Sequence, residues 1–344
     1  MSDNSQTVAQ RPGGTGRRST SVVLLAVGAI VVAQFLLVLM FAWSSSRAAP
    51  RDLPIAVSGP PAAARGLAHG LERTQPGAFT VAVLPDNAAA RAAVTDRQVY
   101  AAICLSGAGA AVYTASEASP NVAQMLAQTV PAAIEHVLPN ATVTITDLAP
   151  NPVDDPKGTA IASTLIPLTM TSIAAGVVIG LLAGERRSRL VVLVAYAVLA
   201  GLLATVALQA MLGGLTGPWL SNELVITLGA GAIAATACGL SAAARIVGIL
   251  VALLVVWFFG FAFSGVTSAW QLMPTPWGQL AQYLPVGATN TGLRSVAFFD
   301  GARATGSLAV LGAWALFGIA LASFKRFPHR AGSAGNAQAP DAPR

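Results

Sequence analysis

Few residues in this chain are of the types that do chemistry, and their spacing limits what they can do. The histidines are His69, His136 and His329, and none has a second metal-binding side chain at ligand spacing. His136 could serve a Ser/His/acid triad, but no G-x-S-x-G elbow accompanies it. Cys104 lies in a stretch of soluble character and Cys238 in an apolar run. That difference in depth rules out a disulfide between them, and no cysteine metal site follows. Gly107-Ala108-Gly109-Ala110-Ala111 carries half of a dinucleotide fingerprint, yet it joins two strand patterns and opens no helix, so it reads as a turn. Gly13-Gly14-Thr15-Gly16-Arg17-Arg18-Ser19 lacks the lysine and the preceding strand of a phosphate-binding loop. No G-x-x-x-x-G-K-[ST] occurs anywhere, so the chain is not expected to hydrolyse ATP by itself. No catalytic residue, cofactor or metal is expected, and the chain does not read as an enzyme.

Three other groups of residues carry more information. Between two apolar runs, residues 266–304 hold Trp270, Trp277 and Tyr283, amphipathic rings suited to the headgroup region of a bilayer. Pro274, Pro276 and Pro285 break any long helix there. Asn290, Arg294 and Asp300 follow as an expected outer pathway. An arginine among apolar neighbours needs a partner, and Asp300 is the nearest acid in sequence; a headgroup or a substrate anion is the alternative. The segment reads either as a re-entrant stretch buried in protein or as an interfacial loop. The second group is Glu185, Arg186, Arg187 and Arg189 with Arg245, short charged breaks between apolar runs. The third is Gly176, Gly180 and Gly184, a doubled small-xxx-small ridge that packs within its own bundle or against another copy.

The elements that must position these residues are set by hydropathy. Of 344 residues, 54% are hydrophobic and 10% charged, with a mean hydropathy of +0.65. A soluble domain carries roughly 25% charged residues, so this chain cannot coat a water-facing surface of its size. A membrane helix needs about 20 apolar residues. Residues 22–43, 161–183, 190–212 and 306–324 each meet that length. The run 224–265 is interrupted by Arg245 alone. At 1.5 Å per residue it would span about 63 Å as one helix, twice the hydrocarbon core. It must therefore turn back near 241–245, giving spans 224–244 and 246–265 and six crossings in all. The fold class expected is a membrane α-helical bundle of six transmembrane helices with an inserted extracytoplasmic α/β domain.

Basic residues orient the bundle. With the N-terminus inside, the inner segments hold Arg11, Arg17, Arg18, Arg186, Arg187, Arg189, Arg245, Lys325, Arg326, Arg330 and Arg344, against Arg294 and Arg303 in the short outer loop. Both termini are thus expected in the cytoplasm, of a chain resident in the cell membrane with the lipid bilayer as its first partner. The pI near 10.0 follows from this clustering, not from a nucleic-acid patch, because no basic helix carries interleaved aromatics. Ionisable groups are missing from the middle of every span, which argues against a proton relay.

Residues 44–160 have the composition of a soluble domain. Period-two and period-3.6 stretches alternate there as strand 53–58, helix 61–74, strand 79–84, helix 88–97, strands 99–105 and 111–115, a helix after Ser119-Pro120, and strand 141–148. Val122, Leu126, Val130 and Ile134 form the last helix's apolar stripe, with a kink expected at Pro131. This order argues a compact α/β layer domain with a proline-rich exit at 150–158. Residues 1–20 and 325–344 read as tails.

One helix, a large outer domain, then five helices with an elaborate outer segment before the last resembles the ABC-type-two exporter permeases, in their phage-infection-protein-like branch. Local resemblance rests on Leu53-Pro54-Ile55-Ala56-Val57, on the Ala-rich helix running into Val99-Tyr100-Ala101-Ala102-Ile103, and on Tyr283-Leu284-Pro285, Gly292-Leu293-Arg294 and Phe299-Asp300-Gly301. The resemblance implies a homodimeric permease that exports a lipid-like, peptide or drug-like substrate using a separate ATPase subunit. The chain departs from the family in having no amphipathic helix before Val22 and only short charged breaks at 185–189 and Arg245, where the resemblance implies that the ATPase would grip Glu185, Arg186, Arg187, Arg189 and Arg245. Without the resemblance, the layout also suits a non-transporting envelope protein whose outer domain binds or assembles.

Overall fold

Alternating apolar residues make the strands of the first folded unit, and 3.6-period stripes make its helices. The computed structural model describes residues 15–107 and 109–323. After α1 (Thr15–Ser46) come β1 (Leu53–Ser58), α2 (Pro61–Thr74), β2 (Phe79–Leu84), α3 (Asn87–Thr95), β3 (Ala101–Ser106), β4 (Gly109–Thr114), α4 (Pro120–Val137) and β5 (Thr142–Asp147). The sheet order is β2-β1-β3-β4-β5, parallel except where β3 meets β4. Leu53, Ile55, Val57 and Ile103 face α2 and α4, meeting Leu67, Leu71, Leu126 and Ile134. Ala56, Ala102 and Cys104 on the other face meet Ala90, Ala93 and Val94 of α3. Small residues on that face let α3 lie close.

Capping explains the helix starts. Asp86 accepts from the Ala89 N–H at 2.8 Å, and Ser119 accepts from that of Val122 with Pro120 at the first helical position. α4 continues through Pro131, its stripe Val122, Leu126, Val130 and Ile134 fully buried. Packing of that stripe against the sheet outweighs the hydrogen bond the proline removes.

Among the described residues, five helices are long and apolar enough to cross a membrane, by length and composition: residues 20–46 of α1, α5 (Ala160–Leu182), α6 (Arg186–Thr205) with its π-helical continuation Val206–Met211, the 45-residue stretch Trp219–Phe263, and α11 (Ala304–Ser323). The 45-residue stretch comprises α7 (Trp219–Ala252), a π-helical segment Leu253–Phe259 and α8 (Gly260–Phe263). It is not straight. Arg245 has φ 48° and ψ −120°, outside helical values. A Cβ on Gly248 would overlap the Leu240 carbonyl, eight residues back. In a continuous helix those residues are about 12 Å apart along the axis, so the chain reverses at Arg245. Both ends of the stretch accordingly lie at the same end of the bundle, where Ser44 near the end of α1 donates to the Ala262 carbonyl at 2.6 Å and Thr216, just before α7, donates to the Ala297 carbonyl at 2.8 Å.

α7 is the centre of the bundle, packed by α5, α6 and α11. A Cβ on Gly180 would sit 2.6 Å from the Cys238 carbonyl oxygen, and one on Gly176 would overlap that of Ala234. Such close approach is how helices associate where lipid offers no hydrophobic drive. The ridge stops there: α5 ends at Leu182, and Gly184 is exposed with nothing within 4 Å of an added Cβ. The charged break is also shorter than expected, because α6 begins at Arg186 and takes up Arg187 and Arg189 in its first turn.

The segment 266–304 is folded and not an open loop. It holds a 3₁₀ turn (Trp270–Leu272), α9 (Trp277–Ala281) and α10 (Pro285–Phe298). Eleven of the fourteen α10 residues are buried, against α5, α7, α8 and α11 and under the α/β domain. Polar backbone is tolerated at depth when enclosed by protein. By contrast α1 is exposed along its span and meets the bundle near its end, through Met40, Trp43 and Ser44. It begins at Thr15, so part of the expected tail 1–20 is helical; residues 1–14 and the expected tail 325–344 lie outside the described residues.

Candidate functional site

The α/β domain meets α10 through a charged contact that is closed to solvent. Arg294, 2% exposed, donates from Nη1 to the Glu117 carbonyl at 2.8 Å and to Glu117 Oε2 at 3.3 Å. Its Nε donates to Asn290 Oδ1 at 3.3 Å, one helical turn earlier. Glu117 is itself 2% exposed and lies between β4 and the cap of α4. The contact thus joins two parts of the chain 177 residues apart in sequence. Burial pushes the Glu117 carboxyl up to about 7, against the pull of Arg294. It is the only ion pair among the described residues. Asp300, the nearest acid in sequence, is not the partner: it sits exposed in the turn after α10 with φ 48°.

A second arginine pins the same helix. Arg97 Nη1 donates to the Thr291 carbonyl at 2.9 Å and to Ser295 Oγ at 2.5 Å, while its guanidinium lies 5.2 Å from the Phe299 ring centre. Burial, with a smaller contribution from the nearby cations Arg294 and Arg303, pulls Arg97 down to about 10. Tyr100 donates to Gln271 Oε1 at 2.8 Å, and burial pushes its phenol above the usual range. Backbone bonds from Ala49 and Arg51 to the carbonyls of Leu272 and Gln271 complete the seam. Sequence reasoning missed Glu117, Arg97, Tyr100 and Gln271. They carry no periodic signal, and only Arg294's need for a partner pointed to this place.

The expected outer-pathway residues divide. Asn290 and Arg294 come together in the buried contact, and Trp270 lines a cleft beside Arg97 and Tyr100. Trp277 packs on Phe263, ring centres 5.7 Å apart, and stays partly exposed; Tyr283 is exposed, its carbonyl accepting from Trp314 Nε1 at 2.7 Å. Neither reaches Arg294's contact.

At the far end of the bundle, a cleft of about 530 Å³ is lined by Gly180, Gly184, Glu185, Arg186, Arg189 and Arg245, with Ala322 and Ser323 from α11. Four of the five residues expected to couple therefore share one concavity, and Arg187 is exposed outside its lining. Arg189 is structurally committed: Nε donates to the Ala183 carbonyl at 2.7 Å and Nη1 to that of Ala322 at 3.1 Å, tying the ends of α5 and α11. These carbonyls have no helical partners, so the guanidinium satisfies them. Glu185, Arg186 and Arg245 form no ion pair among the described residues.

No family model, no curated protein and no solved structure matches this chain.

Proposed function

We propose that this chain is the membrane permease of an exporter, with six crossings, both termini cytoplasmic and residues 44–160 extracytoplasmic, working with a separate ATPase. The observation that carries this reading is the far-end cleft. Two segments distant in sequence bring Glu185 with Arg186 and Arg245 to one concave surface, on the side to which the basic residues assign the cytoplasm. A mixed-charge concavity between helix ends suits a partner's inserted helix or loop. On this reading the 45-residue stretch, reversed at Arg245, makes two crossings, and the domain and the cleft lie on opposite sides of the bilayer. The exposed α1 would lie against lipid or against a second copy in a homodimer. The substrate class, lipid-like, peptide or drug-like, rests on the resemblance alone.

One observation favours a second reading, that of a non-transporting envelope protein with a binding or assembly domain. The α/β domain is pinned to α10 by buried charges, as a rigid platform would be.

Co-purification from native membranes tests the two. The permease reading expects an ATPase to accompany the wild-type chain and to be lost from Arg186→Glu/Arg245→Glu, with ATP-dependent export lost in parallel. Recovery of an envelope assembly with no ATPase would overturn it.

A further inference from the structure

The seam between the α/β domain and α10 holds more positive charge than the protein balances. Arg97, Arg294 and Arg303 influence one another there, and the one carboxylate in ion-pair contact, Glu117, is spent on Arg294. No Asp or Glu among the described residues forms an ion pair with Arg97 or Arg303. The Arg303 side chain makes no hydrogen bond among them, and Arg97 uses one of its three guanidinium nitrogens. Arg97 is half-buried, where a cation is costly to leave without a counter-ion, and Arg303 stands exposed at its rim.

These two arginines open onto one space. A cleft of about 160 Å³ is lined by Arg97, Gln98 and Tyr100 from the domain, and by Trp270, Gln271 and Arg303 from the bundle side. Tyr100 engages the Gln271 Oε1, which leaves the Gln271 amide N–H groups to donate. Arg97 and Arg303 both have left-handed backbone, φ 56° and 57°, rare for non-glycine residues and common where a fold holds a side chain in place for use. The volume equals about five water molecules at roughly 30 Å³ each, enough for a small anionic group and too little for an acyl chain.

We propose that this cleft binds a phosphate group, held between Arg97 on the domain and Arg303 on the bundle. Two guanidiniums approaching from different elements call for an anion of more than one charge with oxygens on several sides. A carboxylate would balance one of them, whereas a phosphate monoester answers both and accepts from Gln98 and Gln271 as well. The inference rests on the seam alone and holds for either functional reading. The group's source is a lipid headgroup at the membrane surface or a free phosphate compound.

Thermal denaturation of the full-length protein in neutral detergent tests it. The probes are inorganic phosphate and dioctanoyl phosphatidic acid, against chloride at matched ionic strength and dioctanoyl phosphatidylcholine. A saturable rise in midpoint is expected with phosphatidic acid. If inorganic phosphate matches it, the free anion suffices; if only the lipid acts, the headgroup is the source, and both outcomes support the cleft. Arg303→Ala, at an exposed residue without side-chain bonds among those described, and Gln98→Glu, which puts a carboxylate at the rim, should fold normally. Each should weaken the response about tenfold or more, the equivalent of one charge-assisted hydrogen bond. No shift with either probe, or full response in both variants, would overturn the proposal.

Discussion

Replacing Arg294 by Ala asks what the buried contact is worth. The substitution removes three hydrogen bonds, two to Glu117 and one to Asn290, and strands the Glu117 carboxyl at 2% exposure. Breaking a buried pair from one side costs about 3–5 kcal/mol, because the remaining charge has no partner. At roughly 2–4 °C per kcal/mol for a chain of this order of size, the denaturation midpoint should fall by on the order of 10 °C. A further signature separates this account from simple loss of packing. With Arg294 gone, nothing nearby opposes the burial that already holds Glu117 near 7, so the carboxyl takes up a proton readily. The loss should therefore be large at pH 8 and shrink toward pH 5.5. Lys at the same position should restore part of the stability, and the double variant Arg294→Met/Glu117→Gln should recover most of it. Midpoints can be followed by intrinsic tryptophan fluorescence of the full chain. An Arg294→Ala protein as stable as wild type at pH 8, or a loss that does not change with pH, would refute the reasoning.

The wild type itself should lose stability as pH rises between about 4.5 and 7. Glu117's folded pKa is raised, so the folded state binds the proton more tightly than the unfolded state across that window, and Glu117→Gln should flatten that part of the profile. Gly180→Leu should break the α5–α7 contact and lower the midpoint and yield, while Gly184→Leu should be silent, because nothing lies within 4 Å of its Cβ. A cysteine replacing Val153, which is 95% exposed, should react with an impermeant thiol reagent in intact cells, and one replacing Arg187 should react only after lysis. The reverse pattern would invert the proposed topology.

The apolar spans and the strand-helix order of the domain were legible because each rests on a local period of the chain. Gly176 and Gly180 were legible for the same reason, since three intervening residues put both on one helix face. Gly184 fits the spacing too, but the helix has ended before it, and spacing does not report where the backbone stops being helical. Glu117 was not legible at all. Its partner lies 177 residues away, and contacts of that kind leave no trace in periodicity. Sequence could say that Arg294 needed a partner, and proximity suggested Asp300. The fold instead turns Asp300 outward in a left-handed turn and brings the domain over the helix. For α10, modest apolarity could not distinguish burial in lipid from burial in protein.

The distance between Glu117 and Arg294 also bears on how the molecule is made. The chain emerges N-terminus first at about 5–20 residues per second, so roughly 10–35 s separate the synthesis of the two residues. Throughout that interval the α/β domain has no α10 to close against, and Glu117, Arg97 and Tyr100 face water. The proton that Glu117 gains on burial is thus taken up late, when α10 arrives and the seam seals. A chain truncated before Pro285 would hold its sheet and helices yet keep that surface open, an exposed landing site for whatever guards unfinished membrane proteins.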